Sequence, residues 1–157
     1  MTTRSRMERF LHRFSQLPGL LAAFGVAVFV EIGLRLTTLS RLARILGVPL
    51  ATGEQASAPA PQPAGNPAVL PAWARRRIRA TMRMLRSWPF GDTCLRQALV
   101  GGQRLRRLNP LLYVGVAKLD GEVRAHAWLV VSGVVVDPMR AASSYLSLAA
   151  PTAESPG

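Results

Sequence analysis

The sequence predicts an α+β domain in which a helix bearing the single cysteine packs on a small antiparallel sheet, preceded by N-terminal helices. Three observations carry that prediction. Apolar residues recur at helical spacing as far as about Leu108 and at strand spacing beyond Pro110. The pairs Asp120-Gly121 and Ser132-Gly133 each separate two apolar runs, the short-range signature of a hairpin. Asp92 and Thr93 stand directly ahead of an amphipathic stretch opening at Cys94, where helix N-caps belong.

Taken in order, residues 7–46 read as helical, apolar nearly all round over residues 17–30, with charge returning at Glu31, Arg35, Arg41 and Arg44. That stretch falls short of the ~20 residues that span a bilayer, and Pro18, Gly19 and Gly25 weaken it. A buried helical hairpin is the expectation, with a membrane-surface helix as the alternative. Residues 51–72, ATGEQASAPAPQPAGNPAVLPA, are Ala- and Pro-rich and almost uncharged, and form a linker. Ala74, Ile78, Met82 and Leu85 then mark a helix over residues 73–88, with arginines between them. Pro89 and Gly91 end it, and the next helix runs from Cys94 to about Leu108. LLYVGVAK, EVRAHAWLVV and VVVD follow as a three-stranded antiparallel meander. The implied organisation is a helical region at 1–50, a linker at 51–72, a catalytic domain at 73–148 and a flexible tail at 149–157.

The 157 residues suffice for one domain with a core of about a hundred residues, and 49% hydrophobic content excludes wholesale disorder. Lysine plus arginine number 20 against 8 acidic residues, a formal charge of +12, and all but Lys118 are arginine. Such an excess suits nucleic acid, anionic lipid or an acidic partner. The arginines are scattered and no aromatic-rich nucleic-acid motif accompanies them, so no nucleic-acid partner is expected. A single cysteine permits no internal disulfide and needs no oxidising compartment. The basic N-terminus and its apolar run meet Glu31 and Arg35 instead of a small-residue cleavage site, which favours the cytoplasm, at the inner face of the membrane if the helices touch lipid.

The turns set the register. With Asp120 and Gly121 as a two-residue loop, Leu119 faces Glu122, His126 faces Gly115 and Trp128 faces Tyr113. With Ser132 and Gly133 as another, Val131 faces Val134 and Trp128 faces Asp137. His126 and Asp137 become diagonal neighbours on one face, ~7 to 8 Å apart at Cα and within reach of a hydrogen bond. Gly115, Tyr113 and Trp128 pack that face. Leu112, Val114, Val116, Ala125, Ala127, Leu129 and Val131 form an apolar opposite face, which should be buried.

Each residue also has a structural explanation: a lone cysteine as a small buried hydrophobe, a strand histidine as a satisfied core residue, an Asp before Pro as a strand terminator. Their joint arrangement points to nucleophilic catalysis. A thiol is activated by a helix N-terminus and a nearby imidazolium, which Cys94 and His126 would supply. A carboxylate at Asp137 would orient the imidazole. The Cys94 backbone N–H could meet a developing oxyanion, with Gln97 considered as a second donor.

CLRQALVGGQRLRR, LLYVGVAK and AHAWLVVSGVVVD together resemble the transglutaminase-like peptidase domain of lasso-peptide maturation B proteins over roughly residues 73–140. The resemblance implies a papain/transglutaminase-like core with Cys94 as nucleophile, His126 as base and Asp137 as orienting carboxylate. It implies a leader peptidase without cofactor or metal, acting on a ribosomally made precursor peptide. A separate leader-recognition protein and an ATP-dependent cyclase would be its partners, since the first ninety residues hold no β-rich recognition domain. A transglutaminase-like acyltransferase and a non-enzymatic basic membrane-edge module are the alternatives.

Overall fold

A computed structural model describes residues 17–51, 70–119, 121–138 and 146–147. Of the linker expected over 51–72, residues 52–69 lie outside the described residues, as do the tail over 149–157 and the start of the first predicted helix; the linker's described ends belong to the fold instead, with Ala51 and Leu70 buried and Ala72 opening a helix. Within them the chain is α+β. Helices α1 (Leu17–Leu36), α2 (Leu39–Ile45), α3 (Ala72–Leu85) and α4 (Cys94–Arg104) precede strands β1 (Leu111–Leu119), β2 (Glu122–Val131), β3 (Val134–Val136) and β4 (Leu146–Ser147).

Small residues decide how the helices meet. The buried stripe of α1 is Ala23, Ala27, Val30 and Glu31, which lets the helix lie close on α3 and α4. A Cβ at Gly33 would run into the side chain of Leu42 on α2, so this glycine is what allows the α1–α2 hairpin to close. The expectation of a buried hairpin holds along that stripe alone. Leu21, Phe24 and Ile32 remain exposed, because a helix apolar all round gives no direction and only its small-residue face found partners.

The sheet runs β3-β2-β1-β4. β1 and β2 pair antiparallel with Leu119 opposite Glu122, Gly115 opposite His126 and Tyr113 opposite Trp128, and Val131 pairs with Val134. This is the register the two turns impose. Ser132 and Gly133 both take positive φ, 50° and 77°, the primed-turn geometry that matches strand twist. β4, paired with Gly115 and Val116, adds a short fourth strand to the predicted meander. On β1, residues 49–51 are tied in by Leu112 N–H to the Pro49 carbonyl and Ala51 N–H to the Leu112 carbonyl, each 2.9 Å.

The main core lies between the helices and one face of the sheet, with Leu99, Val100 and Leu105 meeting Ala127, Leu129 and Val131. Burying Leu129 alone contributes about 1.5–3 kcal/mol. Gly102 makes the approach of α4 possible: a Cβ there would sit 2.6 Å from Val48 and 3.2 Å from Leu129. The apolar face thins toward the Asp120-Gly121 hairpin, where Val116 is half-buried and Ala125 exposed, since no helix extends that far. The opposite face is buried too: Tyr113, Trp128 and Val130 pack with Ala51 in a second cluster. The helix expected to reach Leu108 stops at Arg104, and a 3-10 turn over Arg106–Leu108 closes on Asn109 in the left-handed region.

Candidate active site

Cys94 is the first residue of α4, half-buried, with Thr93 as N-cap. The Thr93 hydroxyl accepts from Arg96 N–H at 3.5 Å and satisfies one of the helix's orphan donors. The remaining N–H groups of the first turn put partial positive charge where a thiolate would form. The helix expected over 73–88 ends earlier, at Leu85, and a turn through Pro89 and Gly91, the latter at φ 85°, redirects the chain so that the thiol opens the next helix.

His126 and Asp137 are brought together as their register requires. His126 Nε2 lies 3.0 Å from Asp137 Oδ2, with both side chains 4% exposed. This bond fixes the orientation of the imidazole ring through Nε2. The His126 ring stacks on Trp128, centroids 5.9 Å apart, and Trp128 stacks in turn on Tyr113 at 5.8 Å. Burial pushes the Tyr113 hydroxyl above its ordinary pKa of 10.0, so it stays protonated. Gly115, opposite His126, is buried.

Cys94 lines a small pocket with Gln97, Trp128, Val136 and Pro138. Of its walls, Val136 and Pro138 flank Asp137 in the chain and Trp128 stacks on His126, while neither His126 nor Asp137 lines it. Strand alternation places the His126 ring on the face opposite Leu129, against which α4 packs. The structure thus pairs His126 with Asp137, while Cys94 lies at the start of the helix that packs on the other face and shares its pocket with Trp128, Val136 and Pro138. Because β3 ends at Val136, Asp137 is released from the ladder and turns toward the imidazole.

Gln97 is buried one turn along α4 from Cys94, and its Nε2 donates to Asp92 Oδ1 at 2.7 Å. That contact commits one amide hydrogen of Gln97 and leaves its Oε1 buried without a partner among the described residues. Asp92, considered only as a cap, instead fixes the Gln97 amide; the five-residue separation gave no sign of this. The Trp128 indole N–H is likewise buried without a partner. Beside α4, Arg96 Nε donates to Glu31 Oε2 at 2.9 Å, binding α1 to the turn that carries Cys94. The hydrogen bond from Arg96, and the weaker one from Arg35, hold the Glu31 carboxyl below its ordinary 4.5.

A lone cysteine at a helix start, beside an antiparallel sheet carrying a buried imidazole–carboxylate pair, defines the papain/transglutaminase-like class of fold. The sequence model of the transglutaminase-like superfamily matches residues 26–149, and the chain belongs to that superfamily, which includes cysteine peptidases and acyltransferases. No curated protein and no solved structure gave a match.

Proposed function

We propose that this chain is a cysteine peptidase that removes the leader from a ribosomally made precursor peptide, as in lasso-peptide maturation. The observation that carries the reading is the 3.0 Å His126–Asp137 pair beside the pocket lined by Cys94. In this mechanism Cys94 Sγ attacks the scissile carbonyl, and His126 returns the thiol proton to the departing amine. Asp137 holds the imidazole in one tautomer. Water, activated by the same imidazole, then releases the leader carboxylate from the thioester. The Cys94 backbone N–H is one donor for the oxyanion, and Gln97 is the side chain proposed beside it.

The residue pattern CLRQAL, VGV and AHAW supports the lasso-peptide assignment within the superfamily. Co-expression with a candidate precursor tests it by mass spectrometry of the product: wild type should yield cleaved leader, and Cys94→Ala or His126→Ala none. Full processing by Cys94→Ala would end the peptidase reading. Supplying water and a primary amine as competing acceptors separates hydrolysis from acyl transfer.

The pocket is small and grips little of a long peptide, so a separate leader-binding protein is part of the proposal, followed by an ATP-dependent cyclase acting on the freed core. Such a partner raises the local concentration of the scissile bond by tethering. Single-turnover cleavage should accelerate when it is added; equal rates with and without it would remove the partner.

A further inference from the structure

Helix α1 presents three longitudinal stripes, set by about 100° of rotation per residue. One is the buried stripe of Ala23, Ala27, Val30 and Glu31. Leu17, Leu21, Phe24, Val28 and Ile32 form a second, exposed stripe, with Leu21 at 69%, Phe24 at 52% and Ile32 at 51%. Phe90, 49% exposed, extends it through Trp88, whose ring meets Phe24 at 5.4 Å and Phe90 at 6.0 Å. The third stripe, Pro18, Gly19, Ala22 and Val26, forms one wall of a groove of about 900 Å³ against α3 and the end of α4. Its remaining walls include Arg76, Arg77, Arg79, Arg83, Arg104 and Arg106, and no acidic side chain lines it.

An exposed apolar stripe bordered by clustered cations is the pattern of a helix lying in a membrane interface. We propose that α1 docks this chain on an anionic lipid surface, with the Leu21–Phe24–Ile32 stripe entering the acyl boundary and the arginine groove receiving lipid phosphates. Charge complementarity selects this occupant over a second copy of the chain, which would set the same cations against each other. Within the groove Arg104 Nε is buried without a hydrogen-bond partner among the described residues, while Arg77 Nη1 donates to the Arg104 carbonyl at 2.8 Å. An oxyanion entering the groove would relieve both that orphan donor and the mutual repulsion of the two guanidinium groups.

By length and composition α1 could also cross a bilayer. Crossing would strip it from α3 and α4 and take Glu31 away from Arg96, leaving a carboxylate in hydrocarbon. Lying flat keeps the buried stripe docked and gives only the apolar one to the acyl boundary, leaving the groove at the level of the phosphates.

The test is flotation of the full chain with phosphatidylglycerol-containing vesicles against pure phosphatidylcholine vesicles, at low and high salt. Wild type should float with the anionic vesicles at low salt and be released by high salt. Arg76→Gln with Arg79→Gln should weaken binding by roughly fivefold per arginine. Leu21→Ser with Ile32→Ser should weaken it by roughly tenfold or more without changing thermal unfolding, since both positions are exposed. Equal flotation with neutral and anionic vesicles, or full binding by the stripe variant, would overturn the proposal. So would a wild-type dimer in sedimentation that the stripe variant converts to monomer, or groove-dependent binding of a polyglutamate peptide without vesicle binding.

Discussion

Truncating Asp137 to alanine removes the acceptor that fixes His126 and leaves the rest of the site in place. The bond is 3.0 Å long and both side chains are 4% exposed, so water cannot substitute for the lost oxygen. A hydrogen bond to a charged group contributes about 1.5–3 kcal/mol. If it acts fully in the step that forms imidazolium, Asp137→Ala slows acylation of Cys94 by roughly 10- to 150-fold. Asp137→Asn keeps an acceptor of the same shape and should lose roughly tenfold or less. The assay is the rate of acyl transfer from an activated ester to Cys94, followed by intact mass and run well below each variant's unfolding temperature. Cys94→Ala serves as the blank. Acylation of Asp137→Ala at the wild-type rate, with His126→Ala slow, would show that Asp137 only terminates β3 and that the imidazole is oriented by something else.

Gly102→Ala should destabilise the fold by about 1–3 kcal/mol in urea melts, through collision with Val48, and adding Val48→Ala should restore part of that loss. Thr93→Ala should cost about 0.5–1 kcal/mol, at the low end for a cap because the bond to Arg96 N–H is long, whereas Thr93→Ser should be near neutral. Glu31→Gln tests the α1–α4 tie. The folded-state pKa of Glu31 lies below its unfolded value, so its ionic contribution is present above the ordinary carboxylate range and fades as pH falls through the depressed value. The stability gap between wild type and Glu31→Gln should therefore be full at neutral pH and shrink in acid; a gap independent of pH would mean the ion pair with Arg96 contributes nothing.

The sheet was legible because turn chemistry is local. Asp120-Gly121 and Ser132-Gly133 each permit few backbone geometries, and once the loop length is set, every facing pair along β1 and β2 follows. The His126–Asp137 contact was inferred in the same way. What stayed hidden depends on distant partners. Nothing local indicates that Leu21 and Phe24 face outward while Ala23 and Ala27 face inward, since the choice belongs to the surfaces of α3 and α4. β4 is too short to show a period. The burial of Tyr113 and Trp128 on the second face likewise depends on Ala51, more than sixty residues upstream. Gln97 could be placed near Cys94 by helical spacing, but not its bond to Asp92.

The same packing that stabilises the domain also aims the nucleophile. α4 reaches the sheet only because Gly102 leaves room for Val48 and Leu129, and that contact near its C-terminal end sets the direction in which its N-terminal end, with Cys94, points. At the other end, Arg96 anchors the first turn to Glu31, and Asp92 grips Gln97. The helix is thus held by backbone proximity at one end and by charged or polar bonds at the other. His126 sits on β2 and Asp137 directly after β3, in a register fixed independently by two glycine-containing turns. A perturbation at Gly102 or Glu31 should therefore move the thiol relative to the imidazole without disturbing the His126–Asp137 bond. Acylation rates in such variants should fall further than the stability loss alone accounts for.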